Sequence, residues 1–114
     1  MPDGQLTLLS GTLDLLILQA LSVGPNHGYG VSTLIHRRTD GALGVEDAAL
    51  YQALHRLQRQ KLVSAEWGLS ENNRKAKYYA LTERGRHRLE AESTKWARYA
   101  EAVSKLMKPS ERKT

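Results

Sequence analysis

Gln52, His55, Arg56 and Arg59 are spaced so that successive helical turns would bring an amide, an imidazole and two guanidinium groups to nearly one side of residues 50–62. At about 100° per residue, Leu50, Ala53, Leu54 and Leu57 form one apolar stripe, and Ala49, Gln52, Arg56 and Arg59 a neighbouring basic, polar one. A helix that holds a core with one flank and offers Gln and Arg on another fits a DNA major groove. The plainer alternative is an amphipathic helix with solvated arginines. The next stretch of chain tips the balance: residues 70–77 set one carboxylate, Glu71, against the cations Arg74, Lys75 and Lys77, in and around a loop.

The composition leaves room for little else. A chain of 114 residues suits one small domain with an appended helix. With no Phe, the core must be aliphatic and mostly Leu, with Tyr51, Tyr78, Tyr79, Trp67 and Trp96 supplying bulk. A net charge of +5 favours a polyanionic partner. The absence of cysteine excludes disulfides, thiolate zinc sites and a Cys nucleophile. His27, His36, His55 and His87 have no metal-ligand spacing, and Gly28-x-Gly30 lacks the third glycine and preceding strand of a dinucleotide loop. No catalysis, metal or cofactor is therefore expected. The longest apolar run, residues 13–21, contains Asp14 and Gln19 and falls far short of the roughly 20 residues that span a bilayer. It also lacks the basic lead and cleavage site of a signal peptide. A cytoplasmic protein without membrane contact is the expectation.

Residues 1–9 read as an arm. Thr12 is placed to cap a first helix over 13–21, apolar on nearly every side and so buried on more than one face. Gly24-Pro25-Asn26 ends it, and Val31, Leu34 and Ile35 give a second helix over 28–38 its apolar face. The third helix starts at Glu46 or Asp47 and runs to about Lys61. Residues 62–67 and 76–81 read as strands of a β-hairpin around the loop 68–75. Thr82 caps a last helix from Glu83 to about Met107, which Gly85 should weaken by about 1 kcal/mol relative to Ala. The order predicts a mainly α fold with a small β-hairpin, a winged helix-turn-helix with a long C-terminal helix. The expected division is a DNA-binding domain over 10–82, a dimerisation helix over 83–107 and a flexible tail over 108–114.

Four motifs in register then resemble the PadR family of bacterial transcriptional regulators in its short-chain form. They are Gly11-Thr12-Leu13-Asp14-Leu15-Leu16-Ile17-Leu18, His27-Gly28-Tyr29-Gly30, Leu50-Tyr51-Gln52-Ala53-Leu54-His55-Arg56-Leu57, and Lys77-Tyr78-Tyr79-Ala80-Leu81-Thr82-Glu83-Arg84-Gly85. The chain departs from the family pattern in having Gln52 where Pro is usual, Ala48 and Ala49 where Gly or Ser is frequent, and Lys61 where Gly is favoured. The first two departures fall on the surface that would face bases, so no operator sequence can be carried over from another member.

The resemblance implies a homodimeric, sequence-specific DNA-binding regulator, by family habit a repressor. Gln52 can pair with an adenine edge, and Arg56 with guanine or a phosphate. His55 and Arg59 suit phosphates at the groove margin, and Tyr51 matches a family tyrosine at the DNA surface, with packing against the second helix as its other reading. Asn73, Arg74, Lys75 and Lys77 on the wing suit a minor groove or phosphates, and Tyr29 and Ser32 can donate to the backbone. Leu89, Trp96, Ala100, Val103, Leu106 and Met107 lie near one stripe of the last helix and call for a partner helix, joined by Leu13, Leu16 and Ile17 of the first. The resemblance also makes Trp96 a candidate platform for a small planar hydrophobic effector, the favoured alternative being a plain interface anchor. The competing function is a winged-helix interaction module that binds no DNA.

Overall fold

The computed structural model describes residues 5–109. Residues 1–4 of the expected arm and 110–114 of the expected tail lie outside the described residues. The elements run α1 (Leu13–Leu21), β1 (Asn26–His27), α2 (Gly28–Arg38), α3 (Asp47–Arg59), β2 (Val63–Leu69), β3 (Lys75–Leu81) and α4 (Glu83–Met107). Apolar residues on several sides of α1 let it pack against α2, α3 and α4 at once, and Ile17, Leu18, Ala20 and Leu21 are buried there. The four buried positions of α3 are Leu50, Ala53, Leu54 and Leu57, the expected stripe.

The wing differs from expectation in two respects: its strands run further toward the tip, β2 to Leu69 and β3 from Lys75, so the loop shrinks to residues 70–74, and a third strand joins them. The sheet has three strands in the order β1-β3-β2, because Asn26 and His27 pair antiparallel with Tyr79 and Tyr78. A strand of two residues carries no periodicity, so nothing in the local pattern announces it. It ties the start of α2 to β3 of the wing.

The expected cap at Thr12 is not made. Capping needs an extended backbone at that residue, whereas Thr12 is already helical and its hydroxyl donates back to the Leu9 carbonyl at 2.8 Å. Thr82, with extended backbone, does cap α4 and accepts from the Gly85 amide at 3.0 Å. The aromatic contribution to the core is also narrower than composition suggests. Tyr79 is 1% exposed and Tyr78 half-buried, but Trp67 stands largely in solvent, Tyr51 and Trp96 are only partly covered, and the buried remainder is aliphatic.

Between α3 and β2 the chain reverses through a Schellman turn. Leu62 donates to the Leu57 carbonyl and Lys61 to that of Gln58, at 3.0 and 2.9 Å, with Lys61 at φ 63°. This is a left-handed position held by a residue with a Cβ, which explains structurally why glycine suits the site. Lys61→Gly should raise stability by about 0.5–1 kcal/mol in chemical denaturation. A loss of stability instead would mean that the lysine side chain contributes more than its backbone costs.

Candidate nucleic-acid interface

With its apolar stripe turned into the core, α3 presents Ala48, Gln52, His55 and Arg59 as its outermost ridge, all exposed, at spacings of four, three and four. Ala48 is thus exposed where the resemblance places it, although the pattern of polar residues alone does not reveal it. Tyr51 flanks the ridge on one side, and Ala49 and Arg56 on the other. Arg56, expected at a guanine or a phosphate, has a partner within its own chain. Its Nη2 is bonded to Oδ1 of Asp14, and both side chains are only partly exposed. The guanidinium is thus held against α1 and pins α3 to it.

The start of α2 builds the next part of the surface. The Nδ1 of His27 accepts from the Gly30 amide at 3.0 Å, so His27 caps α2 through a ring nitrogen that must carry its lone pair. A Cβ on Gly28 would fall 2.5 Å from the Tyr51 hydroxyl oxygen, so the glycine lets the Tyr51 ring approach the α2 backbone closely. One side of Tyr51 is thus packed against α2 and the other is open, which joins its two sequence readings. Tyr29 is exposed, and Ser32 shares an open groove with Ala49 and His36. Behind this surface, burial, with the neighbouring Tyr51 adding to it, pushes the Tyr79 phenol above its ordinary value of 10.0, so it remains neutral at physiological pH.

At the wing tip, Ser70 donates to the Arg74 carbonyl and Asn73 to that of Ser70, at 2.9 and 2.8 Å. Asn73 adopts φ 60°, a conformation that asparagine tolerates better than most residues, so its first task is to turn the chain. Arg74 and Lys75 are exposed beyond it, Lys77 is half-buried, and Glu71 reaches to 3.7 Å from His27 Nε2.

The surface expected between subunits is divided. Ile17 is 0% exposed, wholly covered by its own chain, and has no area to give a second copy; this corrects its assignment. Leu13, Leu16 and Leu89 pack partly against the same core. Trp96, Val103, Leu106 and Met107 are exposed and Ala100 half-exposed along the later turns of α4. Trp96 borders an apolar groove of about 580 Å³ that it shares with Leu6, Leu9, Leu15, Leu16 and Leu43. Among the described residues there is no cluster of His, Cys, Asp or Glu able to hold a metal, and no helix long and apolar enough to cross a membrane.

Known proteins share this fold. The model of the transcriptional regulator PadR-like family matches residues 17–91. A transcriptional regulator from Clostridium thermocellum superposes with a TM-score of 0.77 at 26% identity, covering 86% of this chain and 95% of its own. A PadR-like transcriptional regulator from Bacillus cereus does so with 0.77 at 28% identity, over 90% and 97% of the two chains. A protein of Lysinibacillus sphaericus described only as "Uncharacterized protein X" is 29% identical over 100 residues, 88% of this chain and 92% of that one. With more than half its length matched by the family model and the same fold around the exposed helix, this chain belongs to the PadR-like family of transcriptional regulators.

Proposed function

We propose that the protein is a homodimeric repressor that places α3 in the major groove of a palindromic operator and its wing on the flanking backbone or minor groove. The observation that carries this is the bare ridge Ala48–Gln52–His55–Arg59, bordered by a cationic wing tip. Thirteen residues of α3 span about 20 Å, enough to lie along a groove about 12 Å wide. Gln52 reads an adenine edge. Ala48 and Ala49, with no side chain beyond Cβ, allow the helix start to approach the bases closely. His55 and Arg59 take phosphates, as do Asn73, Arg74, Lys75 and Lys77, while Tyr29, Ser32 and Tyr51 donate to the backbone from the start of α2 and the flank of α3. Arg56 acts through Asp14 as a strut for the reading helix. Residues 10–82 form the reading head in this proposal. Residues 83–107 pair across a two-fold axis and set two heads about one helical turn of DNA, or a multiple of it, apart. Trp96 anchors that pairing, and the apolar groove beside it is where a planar hydrophobic effector would act by favouring one spacing of the heads.

The test is titration of wild-type and variant protein with duplex from upstream of its own gene and with a scrambled duplex, at two salt concentrations. Gln52→Ala should lose about 1–3 kcal/mol on the operator and little on the scrambled duplex. Lys75→Ala should weaken both alike and reduce the salt slope by about one. If the two variants behave identically, the division between base reading and phosphate binding is wrong. If no duplex binds with salt-dependent affinity, the interaction-module alternative takes its place.

A further inference from the structure

The hairpin outgrows the core it closes. On its inward face the rungs are Val63 opposite Leu81, then Ala65 opposite Tyr79, all buried or half-buried. The next rungs on that face are Trp67 opposite Lys77 and Leu69 opposite Lys75. Their apolar members lie largely in solvent: Trp67 is 63% and Leu69 64% exposed. A large indole left in water on the side of a sheet that elsewhere packs a core is an unusual expense of apolar surface.

The ring is not a bare patch. The Nζ of Lys75 lies 5.2 Å and that of Lys77 6.0 Å from its centroid, within the range of cation–π attraction. Neither ammonium is bridged to a carboxylate among the described residues. Trp67 also borders a groove of about 500 Å³ between wing and helices, whose other walls include Tyr29, Tyr51 and His55. A ligand that fits must offer an apolar face to the ring and anionic groups to the two ammoniums close to it. A deoxyribose between two phosphates has this pattern. A second copy of the wing does not, since it would bring lysines against lysines.

We propose that Trp67 is a DNA contact that packs its ring on a deoxyribose of the strand passing between the wing and α3, while Lys75 and Lys77 hold the adjoining phosphates. The proposal rests on the proposed DNA-binding function and adds to it an apolar, sequence-independent grip. It also gives the two lysines a fixed place, because the ring that touches the sugar is the ring that orients them.

The experiment uses the full chain with the upstream and scrambled duplexes, followed by anisotropy of labelled DNA and by tryptophan emission. Trp67→Ala should weaken operator and scrambled duplex alike by about tenfold, with the salt slope kept near that of wild type. Trp67→Phe should retain most of the affinity yet abolish the change in tryptophan emission that DNA causes, although Trp96 remains. Thermal unfolding of both variants should match wild type, because the ring lies beyond the core. The proposal is overturned if wild type binds DNA while Trp67→Ala binds equally well and the emission change survives in Trp67→Phe. A shift of Trp67→Ala in oligomeric state also overturns it, by assigning the ring to a protein interface. Failure of wild type to bind either duplex removes the DNA-binding function itself, and the wild-type titration separates that result from the others.

Discussion

Val103→Glu should turn the proposed dimer into monomers and lower operator affinity by at least about a hundredfold. Trp96, Ala100, Val103 and Met107 recur along α4 at spacings of four, three and four, so they stand above one another on one side of the helix. The first turns of that side are already used, with Gly85 buried and Leu89 half-buried against the domain. On the later turns Val103 is 41% exposed. The 25-residue helix is about 38 Å long, too long for the domain to cover, and an apolar stripe on its uncovered turns gains only by pairing. Across a two-fold axis each substitution enters the interface twice, so two carboxylates would have to lose water near one another, costing several kcal/mol. Separated heads must then find their half-sites independently, which removes the advantage of linkage. Light scattering measures the first effect and operator titration the second, with Val103→Leu as a control that keeps the stripe. Circular dichroism of the variant should still show the folded winged domain, since Val103 touches none of its core. A variant that remains dimeric at micromolar concentration and binds the operator as wild type does would place the two-fold contact elsewhere.

The fold was legible wherever one short-range pattern determined the outcome. The four-residue apolar stripe of α3 is as expected, and α2 and α4 have the expected limits. Patterns that need a distant partner were not legible. Arg56 and Gln52 lie on adjoining faces of one helix, but Asp14, which claims Arg56, is 42 residues away. Helical period gives direction without saying what stands there. Thr12 and Thr82 precede helices in the same way, and only the backbone angles at each decide which one caps. Strand alternation puts Trp67 on the same side as Val63 and Ala65, yet it cannot say that the hairpin extends past the core. For the same reason Ile17 reads as interface material: a helix apolar all round does not disclose which of its sides its own chain covers.

Gly85→Ala should destabilise the protein by about 3 kcal/mol, the opposite of what helix propensity alone gives. Removing a glycine from a helix ordinarily gains about 1 kcal/mol. Here a Cβ would fall 2.0 Å from the Leu62 carbonyl oxygen and 3.0 Å from its carbon. Both are backbone atoms, so no rotamer change relieves the overlap. Leu62 is itself fixed, for its amide closes the turn after α3, and its carbonyl accepts from the Thr82 amide at 3.1 Å. Thr82 is tied a third way, its hydroxyl donating to the Lys61 carbonyl at 2.8 Å. To admit a methyl group, α4 would have to lift from the start of the wing and break this set of bonds at the point where the long helix leaves the domain. The steric cost therefore exceeds the propensity gain, and the midpoint of thermal unfolding should fall by roughly 12–24 °C at matched protein concentration. The same displacement re-aims the rest of α4, so any folded fraction of Gly85→Ala should dimerise with altered head spacing and lose preference for the wild-type operator over one with half-sites moved apart. A melting point at or above that of wild type would show that propensity outweighs the contact, and that the angle between α4 and the wing is set elsewhere.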